Sequence, residues 1–126
     1  MCTCIETIKN TDISEEDIEL IALVTVAEVE SEGEYCKRLV IDTILNRVDH
    51  PYFPNTVRGV VYQKNQFSVM WNGRINRCVV TDDVRKLVRE ELESRTSYDV
   101  MFFQLGGYSK YGKPLVKVGP CYFSSY

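Results

Sequence analysis

The sequence predicts one α+β domain that is mainly helical and ends in a small β-hairpin. Three segments in the first two thirds of the 126 residues carry apolar side chains at helical spacing, whereas the chain after Ser97 consists of short aromatic, β-prone runs. No repeat or linker interrupts the chain, so residues 14–126 are expected to form a single domain. Residues 1–13 are expected to be a flexible N-terminal segment.

The first two helices follow each other closely. Ser14 stands three residues before Asp17, where its hydroxyl can accept a backbone N–H, so a helix is predicted over residues 15–31. Gly33 then offers a break, and a second helix is predicted over residues 35–48.

The remaining elements are shorter. A helix over residues 56–63 follows a proline-rich turn, and residues 64–77 are expected to be irregular. Thr81 is predicted to cap a third long helix that has acidic residues in its first turn. Residues 100–105 and 117–123 are predicted to be the two strands of the hairpin.

Composition excludes several classes of protein. A net charge of -3 lacks the positive excess that attracts nucleic-acid phosphates, so no nucleic-acid partner is expected. The longest apolar stretch, residues 18–27, is too short to span a bilayer, and no signal peptide is readable. Five scattered cysteines favour free thiols and synthesis in a reducing cytoplasm. We expect a monomer without membrane insertion.

No metal site or cofactor is expected. Cys2 and Cys4 lie one residue apart, whereas zinc sites generally use cysteine pairs two to four residues apart, repeated twice. The single histidine, His50, precedes a proline in a turn and is interpreted as a surface residue. This also disfavours a cysteine–histidine catalytic arrangement.

Glu28 is the leading candidate for a catalytic group. It follows Ile21 by seven residues and Val24 by four, so its carboxyl shares a helical stripe with two apolar side chains. Partial burial would raise its pKa and suit it to donate a proton near neutral pH. The helix is apolar almost all round, however, so the wheel defines no sharp face. Glu32, one turn later, is either a partner in an acid/base pair or part of an acidic turn.

An ordered block of motifs resembles the SleB-like cell-wall hydrolases, a family that includes the spore-cortex-lytic enzymes. The matching elements run over about forty residues: Glu28 and Glu32, ILNRV at residues 44–48, FPNTVRGV at residues 53–60, and Gln63 ahead of Phe67 and Ser68. Residues 100–103 and 118–123 resemble the family's last strands. There Cys121 stands where the family often has a histidine.

The resemblance implies a lysozyme-like fold and cleavage of peptidoglycan glycan strands at the β-1,4 bond between N-acetylmuramic acid and N-acetylglucosamine. Carried over by position, Glu28 is the catalytic acid. In lytic transglycosylases, to which the family is similar, one glutamate acts first as acid and then as base and leaves 1,6-anhydromuramic ends. Residues 14–126 are then the catalytic domain, and Glu32 has a supporting role.

The groove around the substrate is predicted to contain Glu32, Gln63, Phe67 and Phe103, because aromatic faces stack on sugar rings and an amide can donate and accept hydrogen bonds. Both phenylalanines are also reasonable core residues. Asn46 and Arg47 are interpreted as structural, tying down a helix end.

Two alternatives stay open: a hydrolytic muramidase, and a non-catalytic peptidoglycan-binding or structural module of a phage particle or spore. A compact domain without a readable signal peptide fits a phage lysin, a virion-associated lysin or a spore-deposited enzyme that acts on the cell wall. Of these settings, we favour a phage.

Overall fold

The computed structural model describes residues 13–63 and 66–126. The described residues do not include Cys2, Cys4 or the predicted N-terminal segment, except for the last residue of that segment. Within them the elements are α1 (Glu15–Val29), α2 (Glu34–Asp49), α3 (Val57–Val61), α4 (Asp82–Glu93), β1 (Phe102–Leu105), β2 (Lys113–Val118) and β3 (Cys121–Ser125), with 3₁₀ helices at Ser68–Met70 and Arg74–Arg77. The predicted α+β class is confirmed.

Helix α1 begins where the sequence predicts. The Ser14 hydroxyl accepts the Asp17 N–H at 3.1 Å, and the Asp17 carboxylate accepts the Ser14 N–H at 3.2 Å. This reciprocal capping box satisfies two backbone donors of the first turn. The helix ends at Val29, two residues before the predicted end at residue 31.

Helix α1 is the central element, because α2, α3, α4 and both 3₁₀ helices pack against it. Glu15, Glu16 and Glu19 in its first turns are exposed, but no side chain from Leu20 to Val29 is, as expected for a stretch that is apolar almost all round. None of the helices among the described residues is long and apolar enough to cross a bilayer. The helical core is formed mainly by aliphatic side chains: Ile18, Ile21, Ala22, Val24, Val26, Ala27, Ile41, Ile44, Leu45, Val57, Val60, Val61, Phe67, Val69, Met70, Val84, Leu87 and Val88.

Helix α4 has the predicted apolar stripe, but the prediction that Thr81 caps it is corrected. Thr81 occupies the N-cap position with an extended backbone, yet its side chain makes no capping hydrogen bond. Its carbonyl oxygen accepts the Arg85 N–H at 3.2 Å, and Asp82 and Asp83 place negative charge at the positive helix end.

The C-terminal sheet has one strand more than the predicted hairpin. Its order is β1-β3-β2, with both pairs antiparallel. The run 117–123, predicted as one strand, is broken at Gly119, whose φ of 57° forms the turn between β2 and β3. β2 already begins at Lys113 and tolerates Pro114 because it is an edge strand.

A second core joins the sheet to the helices. It consists of the buried residues Val29, Cys36, Leu39, Val40, Val100, Cys121 and Phe123. The last turn of α1 therefore passes from the helical core, which contains Ala27, to the sheet core, which contains Val29.

Asn46 and Arg47 are structural, as the sequence predicts. The Asn46 amide donates to the Ser97 and Val100 carbonyl oxygens at 3.1 and 2.8 Å. Arg47 Nε donates to the Met101 carbonyl oxygen at 2.7 Å. These bonds hold the chain entering β1 against the end of α2, which fixes the sheet relative to the helices.

A buried carboxyl pair links α2 to α4. Burial, together with Glu91 beside it, raises the pKa of Asp42 to about 8. Asp42 Oδ2 accepts the Ser97 N–H at 2.9 Å, while Arg38 Nη1 donates to Glu91 Oε2 at 2.7 Å. Burial also opposes the charge of Glu91, but hydrogen bonds from Asp42, Thr96 and Arg38 outweigh it and lower its pKa. Asp42 therefore keeps a proton near neutral pH and Glu91 is ionised.

The raised pKa of Asp42 predicts how the free energy of unfolding changes with pH. The unfolded chain releases the Asp42 proton near pH 4, whereas the folded protein keeps it until about pH 8. Asp42 thus makes folding less favourable as pH rises through this window. Asp42→Asn should be close to wild type at pH 5 and more stable than wild type at pH 9, by about 1–3 kcal/mol in urea denaturation.

Asp42→Ala is the matched control for this prediction. It leaves the Ser97 N–H and the Glu91 carboxylate without the Asp42 partner and should cost about 2–4 kcal/mol at pH 5. The cost should be smaller at pH 9, because alanine, like asparagine, does not titrate. Equal destabilisation by asparagine and alanine would contradict the protonated state of Asp42.

Candidate active site

Glu28 lies in the last turn of α1, between Ala27 of the helical core and Val29 of the sheet core. Its side chain is half-buried. Its neighbours Ala27 and Val29 are almost fully buried, which limits the access of the carboxyl group to solvent. This is the environment in which the charged form of a carboxyl is disfavoured.

Burial raises the pKa of Glu28 to about 7, and the positive charge of Arg74 opposes this effect only in part. At neutral pH the carboxyl is therefore populated in both its protonated and ionised forms. A group in that state can donate a proton and then accept one without a change of conditions.

Arg74 covers the end of α1. Its Nε donates to the Ala27 carbonyl oxygen at 2.5 Å, and its Nη2 lies 3.8 Å from Glu30 Oε1. The left-handed backbone of Gly73, with φ of 83°, starts the 3₁₀ helix that carries it. Since α1 has no basic residue in its own last turn, Arg74 supplies the cation that a helix C-terminus favours.

Glu32 lies in the turn after α1 and is half-buried. Its N–H donates to the Val29 carbonyl oxygen at 2.9 Å. A Cβ atom added to Gly119 would lie 3.2 Å from Glu32 Oε1, so the carboxylate rests against the turn between β2 and β3. The causes of the Glu28 pKa shift are burial and Arg74, so repulsion from Glu32 does not account for it.

Cys121, the first residue of β3, lies near both glutamates. Burial raises the pKa of its thiol, and the negative charges of Glu32 and Glu28 raise it further. The start of β3 therefore faces the end of α1. The sheet and the helices meet at the two glutamates.

The other predicted groove residues have different environments. Gln63 follows α3, and its side-chain Oε1 is buried without a hydrogen-bond partner among the described residues. Phe103 is half-buried and packs on Phe123 with ring centroids 5.2 Å apart. Phe67 is only 3% exposed and belongs to the helical core, so no ring face is free to stack on a sugar. The structure gives Phe67 a core position instead of the predicted place in the groove.

A family model described as Cell Wall Hydrolase matches residues 31–113. The chain belongs to the cell wall hydrolase family. The matched region contains Glu32, Gln63, Phe67 and Phe103 and begins three residues after Glu28.

Similar proteins extend this comparison. A spore cortex-lytic enzyme of Bacillus cereus is 37% identical over 62 residues, which cover 49% of this chain and 24% of that protein. The chain thus matches about a quarter of the length of this curated relative. The catalytic domain of the Bacillus cereus SleB protein superimposes with a TM-score of 0.75 and 26% identity, covering 89% of this chain and 91% of that one.

A second solved structure gives the same fold. The catalytic domain of the germination-specific lytic transglycosylase SleB from Bacillus anthracis has a TM-score of 0.73 and 26% identity, and the match covers 89% of this chain and 96% of that chain. The superposition therefore extends well beyond the residues matched by the family model. It includes most of this hydrolase domain.

A cleft of about 1090 Å³ lies at the opposite end of α1 and is lined by Ile13, Asp17 and residues of the segment 48–57. Asp17 precedes Glu28 by eleven residues, about 16 Å along a helix. The cleft contains none of the predicted site residues, so its size does not make it the reaction site.

The sequence analysis does not identify Arg74 or Trp71 as site residues. Trp71 is 63% exposed, lies three residues before Arg74, and packs edge-on against Tyr62 with ring centroids 6.1 Å apart. The last turn of α1 has no basic residue, which indicates that a cation from elsewhere in the chain neutralises the negative end of the helix. That cation is Arg74, which lies 47 residues after Ala27 in the chain and is brought to it only by the fold.

Proposed function

We propose that this hydrolase domain cleaves peptidoglycan glycan strands at the β-1,4 bond between N-acetylmuramic acid and N-acetylglucosamine. The observation that carries the proposal is the half-buried carboxyl of Glu28, whose pKa is raised to about 7. Cleavage of a glycosidic bond needs a carboxylic acid that is still protonated near neutral pH. Membership of the cell wall hydrolase family supports the choice of substrate.

In the first step, Glu28 donates its proton to the oxygen that bridges the two sugars. The bond between that oxygen and the muramic acid C1 breaks, and positive charge develops at C1. The leaving sugar departs with a hydroxyl group, and Glu28 is left as a carboxylate. Arg74 beside it stabilises this ionised state.

In the second step, the Glu28 carboxylate takes the proton of the muramic acid 6-hydroxyl, and that oxygen bonds to C1. The product is a 1,6-anhydro end, and Glu28 recovers its proton. This route needs only one carboxyl group. Two observations support a route with one carboxyl group. Glu32 rests against the turn at Gly119, and the fold is shared with a solved structure named as a lytic transglycosylase.

Hydrolysis is the second candidate for the same site. In that route a water molecule attacks C1, and Glu32 is the carboxylate proposed to activate it. A non-catalytic module is the third candidate. The raised pKa of Glu28 favours an enzyme, because a binding module has no need of a proton donor.

The sugar-binding residues are proposed from their environments. Gln63 is proposed because an amide can donate and accept hydrogen bonds and its buried Oε1 has no hydrogen-bond partner within residues 13–63 and 66–126. Phe103 and the exposed Trp71 offer ring faces, and Glu32 supports the groove beside Gly119. Phe67 supports it from the core.

The biological setting is proposed as the bacterial cell wall, with a monomeric enzyme that needs no cofactor. The similarity to spore cortex-lytic enzymes favours a spore over a phage particle. Peptidoglycan is the partner in either setting.

One test of the proposed function compares the roles of Glu28 and Glu32 in the reaction. Glu28→Gln should lower the rate of release of soluble fragments from purified peptidoglycan by roughly 10²–10⁴-fold, because glutamine cannot donate the proton. Glu32→Gln, the matched control, should keep activity within about tenfold of wild type. Near-full activity of Glu28→Gln would overturn the assignment, and equal loss in both variants would favour a two-carboxylate mechanism.

The folded state of Glu28→Gln can be verified by its stability. The pKa of Glu28 is raised, so its contribution to stability is complete below about pH 4.5 and is lost as pH rises through about 7. Glutamine has no such loss. At pH 8 the variant should therefore melt at or above the temperature of wild type.

The second prediction concerns the products. Mass spectrometry of digested peptidoglycan should find fragments that end in 1,6-anhydromuramic acid, which are one water lighter than hydrolysed fragments. Reducing ends as the main product would establish a muramidase instead. Binding to sacculi without soluble fragments of either kind would establish the non-catalytic module.

A further inference from the structure

Cys36 and Cys121 form a buried sulfur pair that the proposed reaction does not use. Cys36 lies in the first turn of α2 and Cys121 begins β3, 85 residues later in the chain. Their Sγ atoms are 2.9 Å apart, and the two residues are 1% and 0% exposed. The fold thus brings two thiols into direct contact in the sheet core.

The contact is poorly explained as a metal site. In the part of the chain that the structure describes, no three histidine, cysteine, aspartate or glutamate side chains are grouped as metal ligands. Two thiols alone do not complete the four-coordinate set that zinc prefers. The contact is a hydrogen bond in which the Cys36 thiol donates to Cys121 Sγ, and two thiols held together in this way can be oxidised to a disulfide.

The geometry is close to that of a bond. Sulfur atoms in a disulfide are about 2.05 Å apart, so the pair has to approach by roughly 0.9 Å. Both residues belong to the same core cluster as Leu39, Val40 and Phe123, which holds α2 against β3.

We propose that Cys36 and Cys121 are a redox site, which forms an intramolecular disulfide in a medium that contains a low-molecular-weight disulfide. One protein thiolate attacks a sulfur of the small disulfide, which releases a small thiolate and leaves a mixed disulfide. The second protein thiol loses its proton, attacks the protein sulfur of that mixed disulfide and displaces a second small thiolate. Two protein thiols are oxidised, and one small disulfide is reduced to two thiols. In the structure both residues are free thiols, as the sequence predicts, and the disulfide is proposed only for such a medium.

The native protein should react slowly. Burial raises the pKa of the Cys36 thiol, as do the contact with Cys121 and the negative charge of Glu32. Burial likewise raises the pKa of Cys121. Thiolate is the attacking species, so a buried pair with little thiolate is oxidised mainly during folding or transient opening of the sheet.

The disulfide would tie together the two elements that flank the glutamates. α2 begins two residues after Glu32, and β3 begins two residues after Gly119, against which the Glu32 carboxylate rests. A covalent bond here holds the sheet against the end of α1. Because it closes a long loop, the oxidised protein should melt roughly 10 °C above the reduced protein.

The pairing is tested by refolding the full wild-type chain in a mixture of reduced and oxidised glutathione. After the remaining thiols are alkylated, peptide mass mapping without reduction should find one peptide that links Cys36 to Cys121. Both residues alkylated at equilibrium, or either of them joined to Cys2, Cys4 or Cys78, would overturn the proposal. The readout does not depend on enzymatic activity.

The effect on stability is tested in a variant with serine at Cys2, Cys4 and Cys78. The oxidised form of this variant should melt roughly 10 °C above its reduced form in a thermal scan. Adding Cys36→Ala is the matched control, and its melting temperature should be the same with and without reductant. An oxidised form that melts at or below the reduced form would contradict a stabilising disulfide.

Discussion

Burial of α1 from Leu20 to Val29 is the constraint on which the rest of the structure depends. Three helices and two 3₁₀ helices surround it, and its last turn connects the helical core to the core beneath the sheet. Glu28 is carried into this surrounding by its position between Ala27 and Val29. The same packing that stabilises the domain therefore raises the pKa of the carboxyl, at a cost in stability at neutral pH.

Much of the fold could be predicted because local signals agree with tertiary packing. The capping box at Ser14 fixes the start of α1, apolar spacing gives α2 to within one residue at each end, and Thr81 marks the start of α4. The sheet was harder to predict. The turn between β2 and β3 depends on a positive φ at Gly119, which lies inside a run that otherwise has β-strand composition. The glycine- and tyrosine-rich segment before that run does not indicate that β2 begins at Lys113.

The periodicity of apolar residues could not by itself predict that the Glu28 side chain points inward. A helical wheel gives an inward face only when another face meets water, and α1 has no such face along most of its length. Glu28 was therefore identified by the order of motifs more than by its stripe. Arg74 and the Cys36–Cys121 contact could not be found in this way, because each joins parts of the chain that only the fold brings together.

The central claim is that burial keeps Glu28 protonated up to neutral pH. It is tested most directly by an NMR titration of glutamate side-chain carboxyl carbons, with the Glu28 signal assigned by its absence from Glu28→Gln. The account predicts a pKa of about 7 for this group. An ordinary value, near 4.5, would contradict both the burial argument and the proposed role of Glu28 as the acid.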